Sequence, residues 1–290
     1  MNIKILHHND LDGRAAGAII RKKYPTAQCF EVNYDIALPL DQITKEDLVF
    51  IVDFTPPTEA DFKNIVDSAQ QVIWIDHHGR NIADHPFYNQ ALEGLRVEAE
   101  PSGAMCVWNY LFPNDDAPEA IMYVSDFDCW NFHYGISTRA FEAGMKTVDH
   151  QPYDKVWLDL LSDGAMTQTS CLNEMIAKGK VILDYRKNLC YDIVKDIAFE
   201  CDFEGYRILA CNMPKMGSLT FEKIDTTKYP IVSTFYSNGE KICVGLYSED
   251  ESVDCSEIAV KYGGGGHKGA SGFSSNNLPF TNIQKISLGE

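Results

Sequence analysis

Apolar positions in the first part of the chain come in two textures. Ile3–His8, Gln28–Asn33, Leu48–Phe54 and Gln71–Asp76 are short, nearly unbroken apolar runs, which predicts strands. Between them, Gly13–Tyr24 and Thr58–Ala69 carry apolar residues at three- and four-residue steps, which predicts helices. Strands that alternate with helices in this way make βαβ units, so a parallel sheet with helices on both faces is expected. Ser102–Phe112 and Ala117–Val124 continue either as two helices or as a helix and a strand, and the pattern from Ser137 to about Ala198 is helical. Within it, Leu172, Met175, Ile176, Val181, Ile182, Tyr185, Leu189, Ile193 and Ile197 fall on helical steps, so Cys171–Ile197 reads as one long connecting helix.

After this helix the texture changes. Tyr206–Met213, Pro230–Ser237 and Lys241–Ser248 are β-rich, and Asn238-Gly239 between the last two is a hairpin signal. Cys255–Tyr262 predicts a short helix that ends in Gly263-Gly264-Gly265-Gly266-His267. The expected organisation is an α/β domain over residues 1–165, a helical linker over 166–200 and a smaller α+β domain over 201–290. No internal repeat or low-complexity tract interrupts it.

Composition narrows the class. With 290 residues, 45% of them apolar, the chain can build real cores. Its nine cysteines are scattered through apolar segments without a Cys-x-x-Cys pair, the pattern of reduced core thiols and not of a disulfide framework. No basic stretch with a long apolar segment opens the sequence and no run is long enough for a membrane span, so a cytoplasmic location with no membrane partner is expected. Lys and Arg number 11 against 23 Asp and Glu in residues 1–150, and 14 against 19 in 151–290, which places most of the acid excess in the first domain. Proteins that track long nucleic acid neutralise many phosphates with basic stripes, and none is visible here. An acidic cluster still receives a phosphorylated substrate if divalent cations invert its field.

The candidate chemistry sits at the ends of the apolar runs. His8-Asn9-Asp10-Leu11-Asp12-Gly13 follows the first, Asp53 the third, Asp76-His77-His78 the fourth, and Asp126 the run Ile121–Val124. In a parallel sheet the carboxyl ends of strands share one edge, so residues far apart in sequence meet there. His8, Asp10 and Asp12 alternate and share a face of an extended segment. Each piece has a plain alternative: Asp-Leu-Asp-Gly is good turn chemistry, Asp53 before Thr55-Pro56-Pro57 can cap a helix, and an isolated His-His pair is usually packing. Together they predict a site for two cations, and imidazole with carboxylate suits Mn²⁺ ahead of Mg²⁺ or Co²⁺, where thiolate would have favoured zinc.

The ordered set of His-x-Asp-x-Asp-Gly, a later Asp, Asp-His-His, another Asp and finally Gly-Gly-Gly-His-x-x-Ala-x-Gly resembles the DHH phosphoesterase superfamily with its DHH-associated carboxy-terminal domain, over nearly the whole chain. The resemblance implies that His8 and Asp10 hold one metal, Asp12, His77 and Asp126 the other, and that Asp53 bridges them. Asp128 is the alternative to Asp126, left open by Ser125-Asp126-Phe127-Asp128. His78 would approach the reacting phosphate or support the metal shell, and Asp76 would orient a histidine. Gly264, Gly265, Gly266 and His267 would grip a substrate phosphate across an interdomain cleft, with Ser271 standing where many relatives carry a second Ala.

The resemblance therefore implies a Mn²⁺-dependent phosphodiesterase of the nanoRNase or oligoribonuclease type, an exonuclease that takes short oligonucleotides or dinucleotides to nucleoside monophosphates. A phosphomonoesterase for a bisphosphorylated nucleotide is the alternative within enzymes, and a catalytically silent nucleotide-binding or assembly protein the alternative outside them. The pyrophosphatases that share the first domain carry a Ser-Arg-Lys signature in the second, which this chain lacks. A homodimer stays open. His7 is expected to pack beneath the site, Trp74 and Trp108 in the core, Arg80 and Arg139 at the surface, and His85, His133 and His150 outside any motif.

Overall fold

The computed structural model describes residues 2–78, 92–98 and 100–286. The chain divides between Ile182 and Leu183 into two compact units. Among the described residues of the first, strand β1 (Asn2–His8) leads into helix α1 (Leu11–Lys23), then β2 (Gln28–Val32), β3 (Asp47–Val52), α2 (Glu59–Ser68) and β4 (Gln71–Ile75). Helices α3 (Gly103–Leu111), α4 (Glu119–Asp128), α5 (Ile136–Met145) and α6 (Lys155–Leu160) follow. Helix α7 (Ala165–Ile197), 33 residues long, runs through the division.

The four strands pair in the order β2-β1-β3-β4 and every pair is parallel. β3 is buried at all six positions because both sheet faces are covered. Leu48, Phe50 and Val52 share one core with Ile5, Ile73 and Ile75 and with Ile19, Val107, Val124, Phe141 and Trp157 from α1, α3, α4, α5 and α6. Val49 and Ile51 share the other with Leu6, Val72 and Trp74 and with Phe62 and Ile65 of α2. Strand side chains alternate between faces, so each strand feeds both cores, and each fully buried large side chain contributes about 1.5–3 kcal/mol. Trp74 and Trp108 are core residues, as expected.

The second unit is one sheet in the order β11-β5-β6-β7-β8-β10-β9, antiparallel except for β6 against β7. Its strands are β5 (Phe199–Phe203), β6 (Tyr206–Asn212), β7 (Val232–Ser237), β8 (Ile242–Tyr247), β9 (Gly265–His267), β10 (Ala270–Ser275) and β11 (Thr281–Lys285), with α8 (Cys255–Lys261) before β9. The expected hairpin joins β7 to β8, where Asn238 Oδ1 accepts from the backbone of Lys241 at 2.8 Å. One face packs Val244, Leu246 and Phe273 on Ile258 and Ala259 of α8. The other packs Leu209 and Cys211 on Cys190 and Val194 of α7. All nine cysteines are free thiols, and burial pushes Cys106, Cys201 and Cys211 up to about 12.

Candidate metal centre

The parallel sheet aligns the carboxyl ends of β1, β3 and β4, and each end is followed at once by candidate ligands: His8 closes β1, Asp53 follows β3, and Asp76, His77 and His78 follow β4. Asp53 occupies the middle. Its backbone is left-handed, φ 53°, an unusual state for a residue with a side chain, and the side chain is 1% exposed. Neither of its carboxylate oxygens has a hydrogen-bond partner.

Nitrogen donors surround that carboxylate. His77 Nε2 lies 3.3 Å from Asp53 Oδ1, His78 Nδ1 4.0 Å from the same oxygen, and His8 Nδ1 3.9 Å from Oδ2. Two oxygen donors stand beside the histidines: His8 Nδ1 donates to Asp10 Oδ2 at 2.7 Å, and His77 Nε2 is 3.3 Å from Asp128 Oδ2. Asp10 also caps α1, accepting from Gly13 N at 2.9 Å, which fixes its carboxylate at the helix entrance.

Asp12, in the first turn of α1, is buried, and its carboxylate accepts from the backbone N–H of Ala104 at 3.2 Å. That N–H belongs to the first turn of α3, whose amino-terminal end favours negative charge. Gly103 explains how the helix comes so near. A Cβ on it would stand 2.7 Å from Asp53 Cβ and 3.0 Å from Asp12 Oδ2, so no side chain fits between the helix backbone and the two carboxylates.

Asp76 is fully buried and acts on its neighbours. It accepts from Thr55 Oγ1 at 2.6 Å, from His77 N at 2.8 Å and from His78 Nδ1 at 2.7 Å. The bond to Asp76 raises the His78 imidazole above its ordinary value, and the bond to Asp10 does the same for His8. Burial, with the charges of Asp12, Asp10 and Asp128, pushes the Asp53 carboxyl well above the carboxylate range. Asp12 is raised by burial and then by Asp128 and Asp10.

The structure corrects one expected ligand. Asp126 does not end a strand: Glu119–Asp128 is α4, and residues two apart on a helix point about 200° apart. Asp126 faces away from the cluster, where its carboxylate accepts from Thr138 Oγ1, from His133 N at 2.8 Å and from Tyr134 N at 3.3 Å. Those bonds overcome the effect of burial and hold it below the carboxylate range. Asp128 is the acidic residue of this segment that reaches the histidines.

Of the sequence candidates, His8, Asp10, Asp12, Asp53, His77 and His78 thus come together, Asp128 joins them, and Asp126 does not. His7 is buried as expected, its Nδ1 donating to the carbonyl of His8 at 2.8 Å. His133 and His150 serve local bonds, with Asp126 and with Arg14, and Arg139 lies over the Phe132 ring. Arg80 and His85 lie outside the described residues. Ser102 caps α3, and the sequence did not show the close approach of Gly103 and Ala104 to the carboxylates; the local signal was Ser-Gly ahead of an apolar helical run.

The glycine segment of the second unit is not a free loop. Gly265–His267 forms β9, an exposed edge strand paired antiparallel to β10 through Gly266↔Ser271. Gly264 is needed where it stands, since a Cβ would meet the Gly272 carbonyl at 2.1 Å. Beside Gly263 and Gly264 the sheet face holds a concavity of about 720 Å³, lined among others by Lys215, Lys241, Tyr236, Tyr247 and Tyr262.

Solved structures share this arrangement. The DHH domain of PF0399, a member of a family of ribosomal proteins, superposes with a TM-score of 0.56 at 12% identity, over 97% of this chain and 83% of that one. The fold is that of the DHH domain. A second structure with the DHH arrangement, the pGpG-specific phosphodiesterase PggH of Vibrio cholerae, gives a TM-score of 0.54 at 14% identity over 95% and 94% of the two chains. In sequence, uncharacterized protein R106 of Acanthamoeba polyphaga mimivirus is 24% identical over 201 residues, 65% of this chain. The chain spans 45% of the length of that relative. No protein-family model matches.

The donor set of this DHH fold fits a divalent cation. Ligand atoms of His8, Asp10 and Asp53 lie within 4.8 Å of one another, as do those of Asp53, His77 and His78. A buried carboxylate with both oxygens unpartnered is costly unless a cation or proton meets it, and mixed nitrogen and oxygen donors suit Mn²⁺ or Mg²⁺ better than a thiophilic ion.

Proposed function

We propose that the protein is a metal-dependent phosphodiesterase that hydrolyses short oligonucleotides or dinucleotides to nucleoside monophosphates, with two Mn²⁺ as its working ions. The observation that carries this reading is Asp53, a buried carboxylate without hydrogen bonds between two sets of donors. His8 and Asp10 would hold one cation and His77, Asp12 and Asp128 the other, with Asp53 available to both. Such a pair supplies Lewis acidity, activating water near neutral pH and neutralising charge on the attacking and leaving oxygens of an in-line displacement.

The chain's own groups do the rest. Asp76 accepts the hydrogen bond of His78 Nδ1–H, which leaves Nε2 as the ring nitrogen available to a substrate. With its affinity for protons raised, His78 donates to a phosphate oxygen and stabilises the charge that builds there. Ala104 N–H and the α3 terminus aim Asp12 and favour its ionised form, against the burial and the neighbouring carboxylates that raise it. In the second unit, His267 at the exposed β9 edge is the proposed donor to a substrate phosphate, while Lys215 and Lys241 line the concavity beside Gly263 and Gly264.

The net charge of −17 favours short substrates, because phosphates beyond the site meet an acidic surface. A length series from two to twenty-four nucleotides with Mn²⁺, at low and high salt, tests the reading. Efficiency should peak at about two to five nucleotides with weak salt dependence; a rise with length that collapses with salt belongs to a strand-tracking enzyme. A panel that adds cyclic dinucleotides and bisphosphorylated nucleotides separates the phosphomonoesterase alternative.

A further inference from the structure

Two residues past Asp128 stands an aromatic residue that folding alone does not explain. Trp130 is 66% exposed, and its backbone is left-handed, φ 58°. Bulky side chains avoid that region because Cβ crowds the neighbouring carbonyl, and they persist there when the surroundings force them. Here the force is visible. The Asp126 carboxylate accepts from His133 N and Tyr134 N, its carbonyl accepts from Asn131 N at 3.0 Å, and the left-handed Phe132 completes the tight loop. The buried Asp that faces away from the cluster thus pins the loop that follows Asp128.

The loop holds the indole in a fixed frame with one side open. Trp130 meets Phe132 edge-on at 4.6 Å and Phe127 at 5.5 Å between ring centroids. Arg139 in turn lies over Phe132 at 4.7 Å. An ordered, solvent-facing aromatic ring leaves apolar surface in water, and that cost is recovered when a flat apolar group covers it. Adjacent Cα atoms are about 3.8 Å apart, so Trp130 starts within about 8 Å of Asp128, less than the span of a nucleotide whose phosphate lies at the cations.

We propose that Trp130 is the stacking platform for the nucleobase next to the scissile phosphate, and that the Asp126 clamp positions it. This rests on the phosphodiesterase reading above and adds what that reading lacks, a group that distinguishes a nucleotide from any other phosphodiester. Stacking tolerates every base because each has a π face, so the site should prefer nucleotides without strong preference among them.

Three variants test it: Trp130→Phe, Trp130→Ala and Trp130→Gly. The probes are a non-hydrolysable phosphorothioate dinucleotide and its analogue with the base beside the phosphorothioate removed, bound in Ca²⁺ and followed by calorimetry. The wild type should bind the base-bearing probe about ten-fold or more tightly than the abasic one. Trp130→Ala and Trp130→Gly should bring that ratio close to one, and Trp130→Phe should keep part of it. Glycine relieves the left-handed backbone, so Trp130→Gly should melt at or above the wild-type temperature while losing the ratio. A base-to-abasic ratio unchanged in Trp130→Ala would overturn the proposal, and so would a Trp130→Gly protein that melts well below wild type, since the indole would then be a packing element. Failure of the wild type to hydrolyse any phosphodiester with Mn²⁺ would instead overturn the phosphodiesterase reading.

Discussion

The two units solve opposite electrostatic problems. The first gathers anions: Asp53 after β3, Asp10 and Asp12 at the start of α1 and Asp128 at the end of α4 meet at one edge of the parallel sheet, where burial and mutual repulsion raise Asp12, Asp53 and Asp128 above their ordinary range. The second, a mostly antiparallel sheet, leaves its concavity to Lys215, Lys241 and three tyrosines. One region calls for a cation or protons to offset its carboxylates, and the other lines its concavity with ammonium and hydroxyl donors. Under the proposed function the contrast becomes a division of labour in which chemistry and grip should fail separately.

The largest expected effect breaks the first region. Asp53→Ala should lower Mn²⁺-dependent turnover about a thousand-fold or more, because the cations contribute several kcal/mol to the transition state. Circular dichroism should show the fold retained, and turnover at the wild-type rate would remove Asp53 from the centre. The same contrast sets a pH dependence. A carboxyl raised in the folded protein takes up protons on folding, so its contribution is present at acid pH and is lost as pH rises through the folded value. The melting temperature of metal-free protein should therefore fall as pH rises above about 4, the ordinary carboxylate value, and Mn²⁺ should restore it at neutral pH. A metal-free melting curve indifferent to pH and to Mn²⁺ would contradict the anionic cluster.

Breaking the second region should leave the cations in place. For His267→Ala the expectation is a KM raised about ten-fold, the scale of one lost charge-assisted hydrogen bond, with calorimetric Mn²⁺ binding unchanged. Loss of Mn²⁺ binding would move His267 into the coordination shell. The smallest effect concerns Glu200, held down to about 2 by Tyr229 and Lys228. A lowered carboxylate stabilises the fold above its unfolded value and loses that contribution as pH falls from about 4.5 to about 2. Glu200→Gln should cost about 1 kcal/mol or less at pH 7, and nothing at pH 2, in urea melts.

Much of this was legible in the sequence, and the failures have physical reasons. β3 and β4 are buried on both faces and β1 at Ile5, Leu6 and His7, so apolar residues run nearly unbroken up to sharp strand ends, and His8, Asp53 and His77 stand out there. Ile121–Val124 is also an unbroken apolar run, yet it lies on α4, and a buried helix face and a buried strand look alike over four residues. That ambiguity favoured Asp126 over the alternative Asp128, whose carboxylate is the one beside His77. β11 has every residue exposed and therefore no apolar pattern to read, and β9 is two glycines and a histidine. The approach of α3 to the carboxylates depends on tertiary placement, which no local spacing encodes.

That approach has a consequence for how such a protein changes over time. Where α3 meets Asp12 and Asp53, the wall is backbone alone, the Gly103 Cα and the Ala104 N–H. A wall without side chains offers substitution nothing to work on, and a methyl group added at residue 103 would collide with the centre. New substrate preferences in this lineage must then be written elsewhere, in the aromatic turn after Asp128 or on the lysine and tyrosine face of the second unit, while this wall stays a fixed reference surface.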